Sequence, residues 1–210
     1  MPDERISVLL VDDHMLVRRG FRRMLEDDPC IQVVGEAGDG HEAVELAITL
    51  RPKVVVLDFA LPSMNGAVAA RHILKALPET RVLILSMHSE LAYVRMCLDA
   101  GAHGYLLKNA MDLELVDAVK QVAAGREVRD PRLAIEPEAG EKPAPTLTPR
   151  ELEVLQLIVM GKSNKDIAVV LGLSANTVGV HRANIMQTLG IHNTAELVVY
   201  SIRNGLVSIA

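Results

Sequence analysis

The order of hydrophobic and polar positions divides the chain into two regions with different periodicity. In residues 1–125, short apolar runs alternate with segments in which apolar residues recur every three or four positions. Unbroken apolar runs are typical of strands buried on both faces of a parallel sheet, and the intervening segments are typical of amphipathic helices. The predicted strands cover residues 6–11, 31–37, 54–58, 82–86 and 104–108.

The regular alternation of strand and helix predicts a domain of the α/β class. Pro29, Pro52 and Pro78 each end a predicted helix, and Gly125 follows the last one. Five such alternations favour a flavodoxin-like, doubly wound domain, with a five-stranded parallel sheet in the order 2-1-3-4-5 and helices on both faces.

Residues 126–145 show neither pattern. They contain four prolines among Glu, Gly, Lys and Ala, without a periodic apolar face. Such a composition is typical of a semi-rigid linker between domains. The predicted domain limits are therefore 1–125 and 146–210 on either side of this linker.

Residues 146–210 follow a helical pattern only. Thr148 and Glu151 fit a capping box, with Pro149 at the first helical position. Further capping residues mark three more short helices, of which the third covers residues 174–189. Four short helices with brief connections predict a small all-α helix-turn-helix domain.

Composition narrows the class of protein. Half of the residues are hydrophobic but only 2% are aromatic, so the cores must be aliphatic. No apolar span of about 18 residues is present, so we expect a cytoplasmic protein with no membrane partner, in which Cys30 and Cys97 are reduced. The net charge is -5, yet residues 146–210 carry five Lys/Arg against four Asp/Glu, a weak electrostatic signal for a nucleic-acid binder.

Candidate chemistry lies at the ends of the predicted strands. Asp58 ends the apolar run 54–58, and taken alone it fits a helix cap or a turn. In the predicted strand order, however, Asp12 and Asp13 end the neighbouring strand at the same edge. Carboxylates so close together repel one another unless a cation is present, and Mg²⁺ prefers oxygen ligands.

Two further strands end in polar residues at this edge, namely Ser86 and Lys108. Each of the five residues alone has a simpler interpretation as a cap or a solvent-exposed strand end. A nucleophilic carboxylate, a metal, a hydroxyl and an ammonium together are the groups needed to accept a phosphoryl group. Their joint placement therefore favours a phosphoryl-accepting site.

With these motifs, residues 1–125 resemble the receiver domain of two-component response regulators. The matching residues are Val11-Asp12-Asp13-His14, Asp58-x-x-x-Pro62-x-x-x-Gly66, Ser86 and Lys108. The resemblance implies that a histidine kinase phosphorylates Asp58. It also implies that Asp13, Asp58 and the Ala60 carbonyl bind Mg²⁺ with Asp12 nearby through water, and that Ser86 and Tyr105 form the switch pair.

Residues 146–210 resemble the LuxR-type DNA-binding domain, so the whole chain is similar to a NarL/FixJ-type response regulator. The resemblance rests on Leu147-Thr148-Pro149-Arg150-Glu151, on the segment from Gly161 to Ala168, and on Thr177-Val178 with His181-Arg182. It implies a phosphorylated homodimer that binds double-stranded DNA. The predicted contacts to DNA are Asn176, Thr177, Gly179, Val180, Arg182, Lys162 and Lys165.

The resemblance makes the third helix, residues 174–189, the recognition helix, and one of its residues departs from the family pattern. Gly179 stands where the family usually has Lys, so we expect weak or dimer-dependent DNA binding. An alternative is a protein-interaction switch or phosphate sink that has lost DNA binding.

An Asp-based phosphatase would need a second carboxylate two residues after Asp58, where Ala60 stands. The sequence thus predicts no enzyme beyond the chain's own phosphoryl transfer and dephosphorylation.

Overall fold

The computed structural model describes residues 5–62, 64–108, 112–133 and 147–203. The chain divides into two compact units, Met1–Glu136 and Pro137–Ala210. Most of the predicted linker, residues 134–145, lies outside the described residues, as do residue 146 and residues 204–210.

The first unit is a parallel sheet with helices between its strands. Within the described residues the strand order is β2-β1-β3-β4-β5-β6, and every pairing is parallel. The strands are β1 (Ile6–Val11), β2 (Ile31–Ala37), β3 (Val54–Asp58), β4 (Arg81–Ser86), β5 (Gly104–Leu107) and β6 (Val128–Arg129). The helices are α1 (Met15–Glu26), α2 (Gly40–Leu50), α3 (Gly66–Ala76), α4 (Leu91–Asp99) and α5 (Asp112–Ala123). The predicted doubly wound α/β fold is confirmed.

The interior strands are buried because their side chains are apolar on both faces. Every residue of β3 is buried, including its terminal Asp58. Aliphatic residues of β1, β3, β4 and β5 form one cluster with Leu115, Val119 and Val122 of α5. A sheet covered on both faces leaves the ends of its strands as the places where polar side chains reach solvent.

In the part of the chain that the structure describes, the sheet has six strands, whereas the sequence predicted five. β6 pairs with β5, with Val128 opposite Gly104 and Arg129 opposite Tyr105. This strand lies in the stretch predicted as linker. It is only two residues long, so it carries no alternation of apolar and polar positions that a sequence pattern could reveal.

The second unit is entirely helical within the described residues. Its helices are α6 (Pro149–Val159), α7 (Asn164–Leu171), α8 (Ala175–Leu189) and α9 (Thr194–Arg203). The predicted capping box of Thr148 and Glu151 is confirmed, and Ser163 with Asp166 forms a second one at α7. Capping boxes satisfy the backbone N–H groups at a helix start, and they fix where these short helices begin. Within the described part of the chain, every helix is too short or too polar to span a bilayer.

Candidate functional site

Asp12, Asp58 and Lys108 meet at the carboxyl edge of the sheet. β1 and β3 pair with Val11 opposite Leu57, so the aspartates that follow these two residues are neighbours. β5 brings in Lys108, whose Nζ lies 2.8 Å from Oδ2 of Asp12 and 2.5 Å from Oδ2 of Asp58. The two aspartates are only 1% and 2% exposed. One ammonium thus bridges two buried carboxylates.

The three charges perturb one another. Burial raises the pKa of Asp58 to about 6; Lys108 opposes this rise, and Asp12 adds to it. Burial by itself would lower the pKa of Lys108, but the charges of Asp58 and Asp12 outweigh it and leave the pKa raised. Two carboxylates around one ammonium retain an excess of negative charge, which favours a further cation nearby.

Asp12 also belongs to a group of possible metal ligands with Asp13 and His14. One ligand atom each from Asp12, Asp13 and His14 can be chosen so that all lie within 4.8 Å of one another. The backbone N–H of His14 donates to Oδ1 of Asp12 over 2.8 Å, and its ring Nδ1 lies 2.6 Å from Oδ1 of Asp13. Paired carboxylate oxygens suit a hard cation such as Mg²⁺. Among the described residues, Asp58 is not in this group, and its Oδ1 accepts a hydrogen bond of 3.1 Å from the N–H of Ala60.

The loop after β3 folds tightly back onto the end of that strand. The N–H of Gly66 donates to the carbonyl of Phe59 over 2.8 Å, and Asn65 caps α3 by accepting from the N–H of Val68. A Cβ at Gly66 would lie 2.9 Å from the Cα of Phe59 and would overlap the carbonyl of Asp58. Only glycine allows this close approach, which fixes the backbone around Asp58.

Ser86 and Tyr105, the predicted switch pair, lie together beside the loop after β4. Oγ of Ser86 accepts from the N–H of His88 over 3.0 Å, and the Tyr105 hydroxyl donates to the His88 carbonyl over 2.8 Å. The Tyr105 ring is fully buried, and burial raises the pKa of its hydroxyl. The ring therefore points inward, and its hydroxyl fastens the β4–α4 loop.

An aromatic cluster beside this loop was missed by the sequence reasoning. The His88 ring lies 4.6 Å from that of Tyr93 and 5.6 Å from that of Phe59, measured between centroids. The chain has only two Phe and three Tyr. Three of these five rings, including that of Tyr105, lie at or beside the candidate site. The scarcity of aromatic residues was the available signal.

Arg18 of α1 also contributes to the site and was not predicted. Its Nη1 donates to the carbonyl of Asp12, and its Nε donates to Oε2 of Glu36 over 3.0 Å. Arg22 contacts the same glutamate, with Nη1 2.6 Å from Oε1. These contacts connect the loop after β1 to β2. An arginine on an amphipathic helix gives no sequence signal that separates this role from ordinary solvent exposure.

In the helical unit, most of the predicted DNA contacts lie at the surface. Lys162, Lys165, Asn176, Thr177 and Val180 are exposed. The buried side of α8 is formed by Val178 and Ile185. Asn176, Thr177 and Val180 therefore lie on the side of α8 that faces solvent.

Arg182 and Gly179 differ from the other predicted contacts. The Arg182 guanidinium donates to Oδ1 of Asn164 over 3.1 Å and to Oγ1 of Thr194 over 3.0 Å, so it joins α7 to α9. A Cβ at Gly179 would meet only Nδ2 of Asn164, at 3.9 Å. The structure therefore gives no packing reason for glycine at this position.

Two protein families match the two units. Residues 8–120 match the response regulator receiver domain, and residues 145–201 match the bacterial regulatory proteins of the luxR family.

Curated proteins are similar over almost the whole chain. The response regulator UvrY of Escherichia coli K12 is 38% identical over 96% of this chain and 95% of its own length. The transcriptional regulatory protein DegU of Brevibacillus brevis is 36% identical over 99% of this chain and 97% of its own length.

Solved structures of response regulators are also similar to this chain. RcsB of Salmonella enterica serovar Typhimurium, bound to promoter rprA in the presence of the phosphomimetic BeF3-, gives a TM-score of 0.73 at 28% identity, over 93% of this chain and 98% of that one. The receiver domain of the putative response regulator NarL of Mycobacterium tuberculosis is 42% identical, with a TM-score of 0.57 over 59% of this chain and 99% of that one. The chain therefore belongs to the NarL/FixJ-type two-component response regulators, as a phosphorylation-dependent transcriptional regulator with a receiver domain and a LuxR-type DNA-binding domain.

Proposed function

We propose that Asp58 is the residue that accepts the phosphoryl group from a histidine kinase. The carboxylate would form the new bond to phosphorus as the bond from phosphorus to the kinase histidine breaks. The observation that carries this proposal is the position of Lys108, whose Nζ contacts both Asp58 and Asp12. An ammonium already at the nucleophile can donate to a phosphoryl oxygen without a large movement.

Asp12, Asp13, Asp58 and the carbonyl of Ala60 are the groups we assign to a Mg²⁺ ion. Hard oxygen donors at the carboxyl edge fit this cation, and Asp12 and Asp13 are within reach of one another. Bound there, Mg²⁺ would offset negative charge on the phosphoryl oxygens.

Ser86 and Tyr105 are the residues we assign to the conformational response. Ser86 Oγ accepts from the loop residue His88. A phosphoryl group adds about -1.5 to -2 charge and three strong acceptors, so the Ser86 hydroxyl would turn to donate to it. The Tyr105 hydroxyl holds the same loop through the His88 carbonyl. On phosphorylation the loop would thus repack around the buried Tyr105 ring and change the surface around α4 and β5.

The output of this response is binding of double-stranded DNA by α7 and α8, with a homodimer as the active form. The proposed contacts are Asn176, Thr177, Gly179, Val180 and Arg182 on α8, with Lys162 before α7 and Lys165 in it. Promoter-bound RcsB is similar to this chain over nearly its whole length, which supports this assignment. We retain 146–210 for the DNA-binding domain and extend the receiver domain beyond the predicted limit of 125 to include β6, which pairs with β5.

Phosphorylation by a small phosphodonor tests the acceptor. The full chain is incubated with acetyl phosphate and Mg²⁺, and the phosphorylated fraction is measured by intact mass and by phosphate-affinity electrophoresis. We expect Asp58→Asn to take no label. Asp27→Asn is the control, because Asp27 is exposed and follows the last residue of α1, at the opposite end of that helix from Asp13. Unchanged labelling of Asp58→Asn would contradict the assignment.

A further inference from the structure

The exposed side of α8 carries no charge. Asn176, Val180, Ala183, Asn184 and Gln187 are all exposed and recur at intervals of three or four residues, apart from the adjacent pair 183 and 184. They therefore form one stripe along the helix, which we call the reading face. Val180 is 59% exposed, a large fraction for a valine. The opposite side of the helix is buried through Val178 and Ile185.

The reading face carries no Lys or Arg. Arg182 is the only Lys or Arg in α8, and it is four residues after Val178 and three before Ile185. Its guanidinium is held by Asn164 and Thr194. Lys162 and Lys165 flank the start of α7. The reading face therefore offers only amides and aliphatic side chains to the bases.

This chemistry selects particular base pairs. In the major groove, Asn and Gln side chains form paired hydrogen bonds with N6 and N7 of adenine, and small apolar groups contact the methyl group of thymine. Guanine is usually read by Arg or Lys, which the reading face lacks. We infer that α8 reads A·T pairs at the centre of each half-site, with amides on adenine and with Val180 and Ala183 on thymine methyl groups.

This inference rests on the proposed DNA binding and adds the sequence that is bound. It also predicts how the bases are read. Direct reading needs the adenine N7 and the thymine methyl group in the major groove, whereas reading of a narrow A·T-rich minor groove does not. Modified bases separate these two modes.

Selection from a random pool gives the first measurement. The full chain, with acetyl phosphate and Mg²⁺, is used to select duplexes from a randomised pool. We expect enriched half-sites with A·T pairs at their centre. Enriched sites with central G·C pairs would overturn the inference and leave DNA binding intact. A pool that shows no enrichment would overturn the proposed function together with the inference.

Base analogues in the selected duplex give the second measurement. We expect replacement of one contacted thymine by uracil to weaken binding about fourfold, the effect of one buried methyl group. Replacement of one contacted adenine by 7-deazaadenine should weaken binding by a factor between about 5 and about 150. Unchanged binding to both analogues at every central position would overturn direct reading.

Variants assign the effects to residues. Val180→Ala should reduce the difference in affinity between thymine and uracil duplexes. Gln187→Ala should reduce the difference in affinity between adenine and 7-deazaadenine duplexes. The matched control is Val169→Ala, which shortens another exposed valine, 84% exposed on α7, and should leave both differences unchanged. Equal effects of Val169→Ala and Val180→Ala on the uracil difference would contradict the assignment to the reading face.

Discussion

The buried carboxylate of Asp130 accepts a hydrogen bond from the backbone N–H of Leu107, over 2.9 Å. Leu107 ends β5 and precedes Lys108, which contacts the proposed phosphoacceptor. The same carboxylate pairs with Arg132, with Nη2 2.6 Å from Oδ2 and Nε 2.8 Å from Oδ1. Asp130 thus fixes the segment that follows α5 against the strand that positions Lys108.

We expect Asp130→Ala to destabilise the first unit by about 1–3 kcal/mol, because it leaves the Leu107 N–H and the Arg132 guanidinium without this acceptor. Urea denaturation of the full chain, monitored by a signal specific to the first unit, measures the loss of stability. Amide exchange of Leu107 should accelerate as well. Asp117→Ala on the exposed side of α5 is the control and should change stability by less than about 0.5 kcal/mol. Equal stability of the two variants would show that the Leu107 contact is not stabilising.

Gly66→Ala should disturb the site directly. The new Cβ would lie 2.9 Å from the Phe59 Cα, so the backbone after Asp58 must shift. We expect a loss of about 1–3 kcal/mol in the stability of the first unit, as for overpacked sites, and slower labelling by acetyl phosphate.

Gly20→Ala is the matched control for Gly66→Ala. A Cβ at Gly20, inside α1, would meet no atom of the described residues within 4 Å beyond its chain neighbours and the backbone of its own helix. Alanine there should stabilise the helix by about 0.5–1 kcal/mol and leave labelling unchanged. If Gly66→Ala behaves like Gly20→Ala, the close approach of the β3–α3 loop does not constrain Asp58.

The sequence predicted that Asp58 lies beside Asp12 because both aspartates stand at the ends of strongly apolar strands. The run from Val54 to Leu57 identifies a buried strand, and the strand order then brings Asp58 beside Asp12. Contacts between residues far apart in sequence were not predictable in this way. Leu107 and Asp130 are separated by 23 positions, and the two-residue strand between Asp130 and α5 leaves no pattern.

Arg182 illustrates a limit of prediction from the family resemblance. It was predicted as a DNA contact from the family resemblance, whereas its spacing from Val178 and Ile185 already places it near the packed side of α8. The structure shows its guanidinium donating to Asn164 and Thr194. Helical periodicity therefore predicts the direction of this side chain, whereas its contact with DNA stays a prediction from the resemblance.

His103 should have a pKa below its usual value of 6.5, because burial and the charge of Arg81 both oppose protonation and outweigh the opposite effect of Glu127. Its Nδ1 lies 3.2 Å from the N–H of Val82, and its Nε2 lies 2.8 Å from Nη1 of Arg81. A neutral imidazole accepts at one nitrogen, and an imidazolium accepts at neither. An NMR titration of the full chain measures this pKa. Arg81→Gln should raise it, and Arg71→Gln, on the exposed side of α3, should not.

The lowered pKa of His103 has a consequence for stability. Because the unfolded chain binds the proton more readily than the folded one, the contribution of the neutral ring is complete above pH 6.5 and is lost as the pH falls through the folded-state pKa. We expect a loss of about 1 kcal/mol, the usual value of one hydrogen bond. His103→Asn keeps an acceptor without titrating, so its stability should fall less over the same pH range. A pKa of His103 at or above 6.5 would contradict this account.

Gly179→Lys should strengthen binding of the full chain to duplex DNA of any sequence. A Cβ at this position meets only Asn164 Nδ2, at 3.9 Å, so a side chain fits without displacement of the backbone. If the new ammonium reaches a phosphate, the slope of log K against log salt should steepen by about 0.9. The substitution also removes a glycine from the interior of α8, which should stabilise the helix by about 0.5–1 kcal/mol.

Gly179→Ala separates these two effects, because it supplies the helix stabilisation without the charge. We expect its salt slope to match that of the parent chain, and any gain in affinity to be the same at every salt concentration. Gly179→Lys should exceed it most at low salt, where counterion release contributes most to binding. If the lysine and alanine variants show the same slope, position 179 does not approach the phosphate backbone, and the weak binding expected from the sequence has another origin.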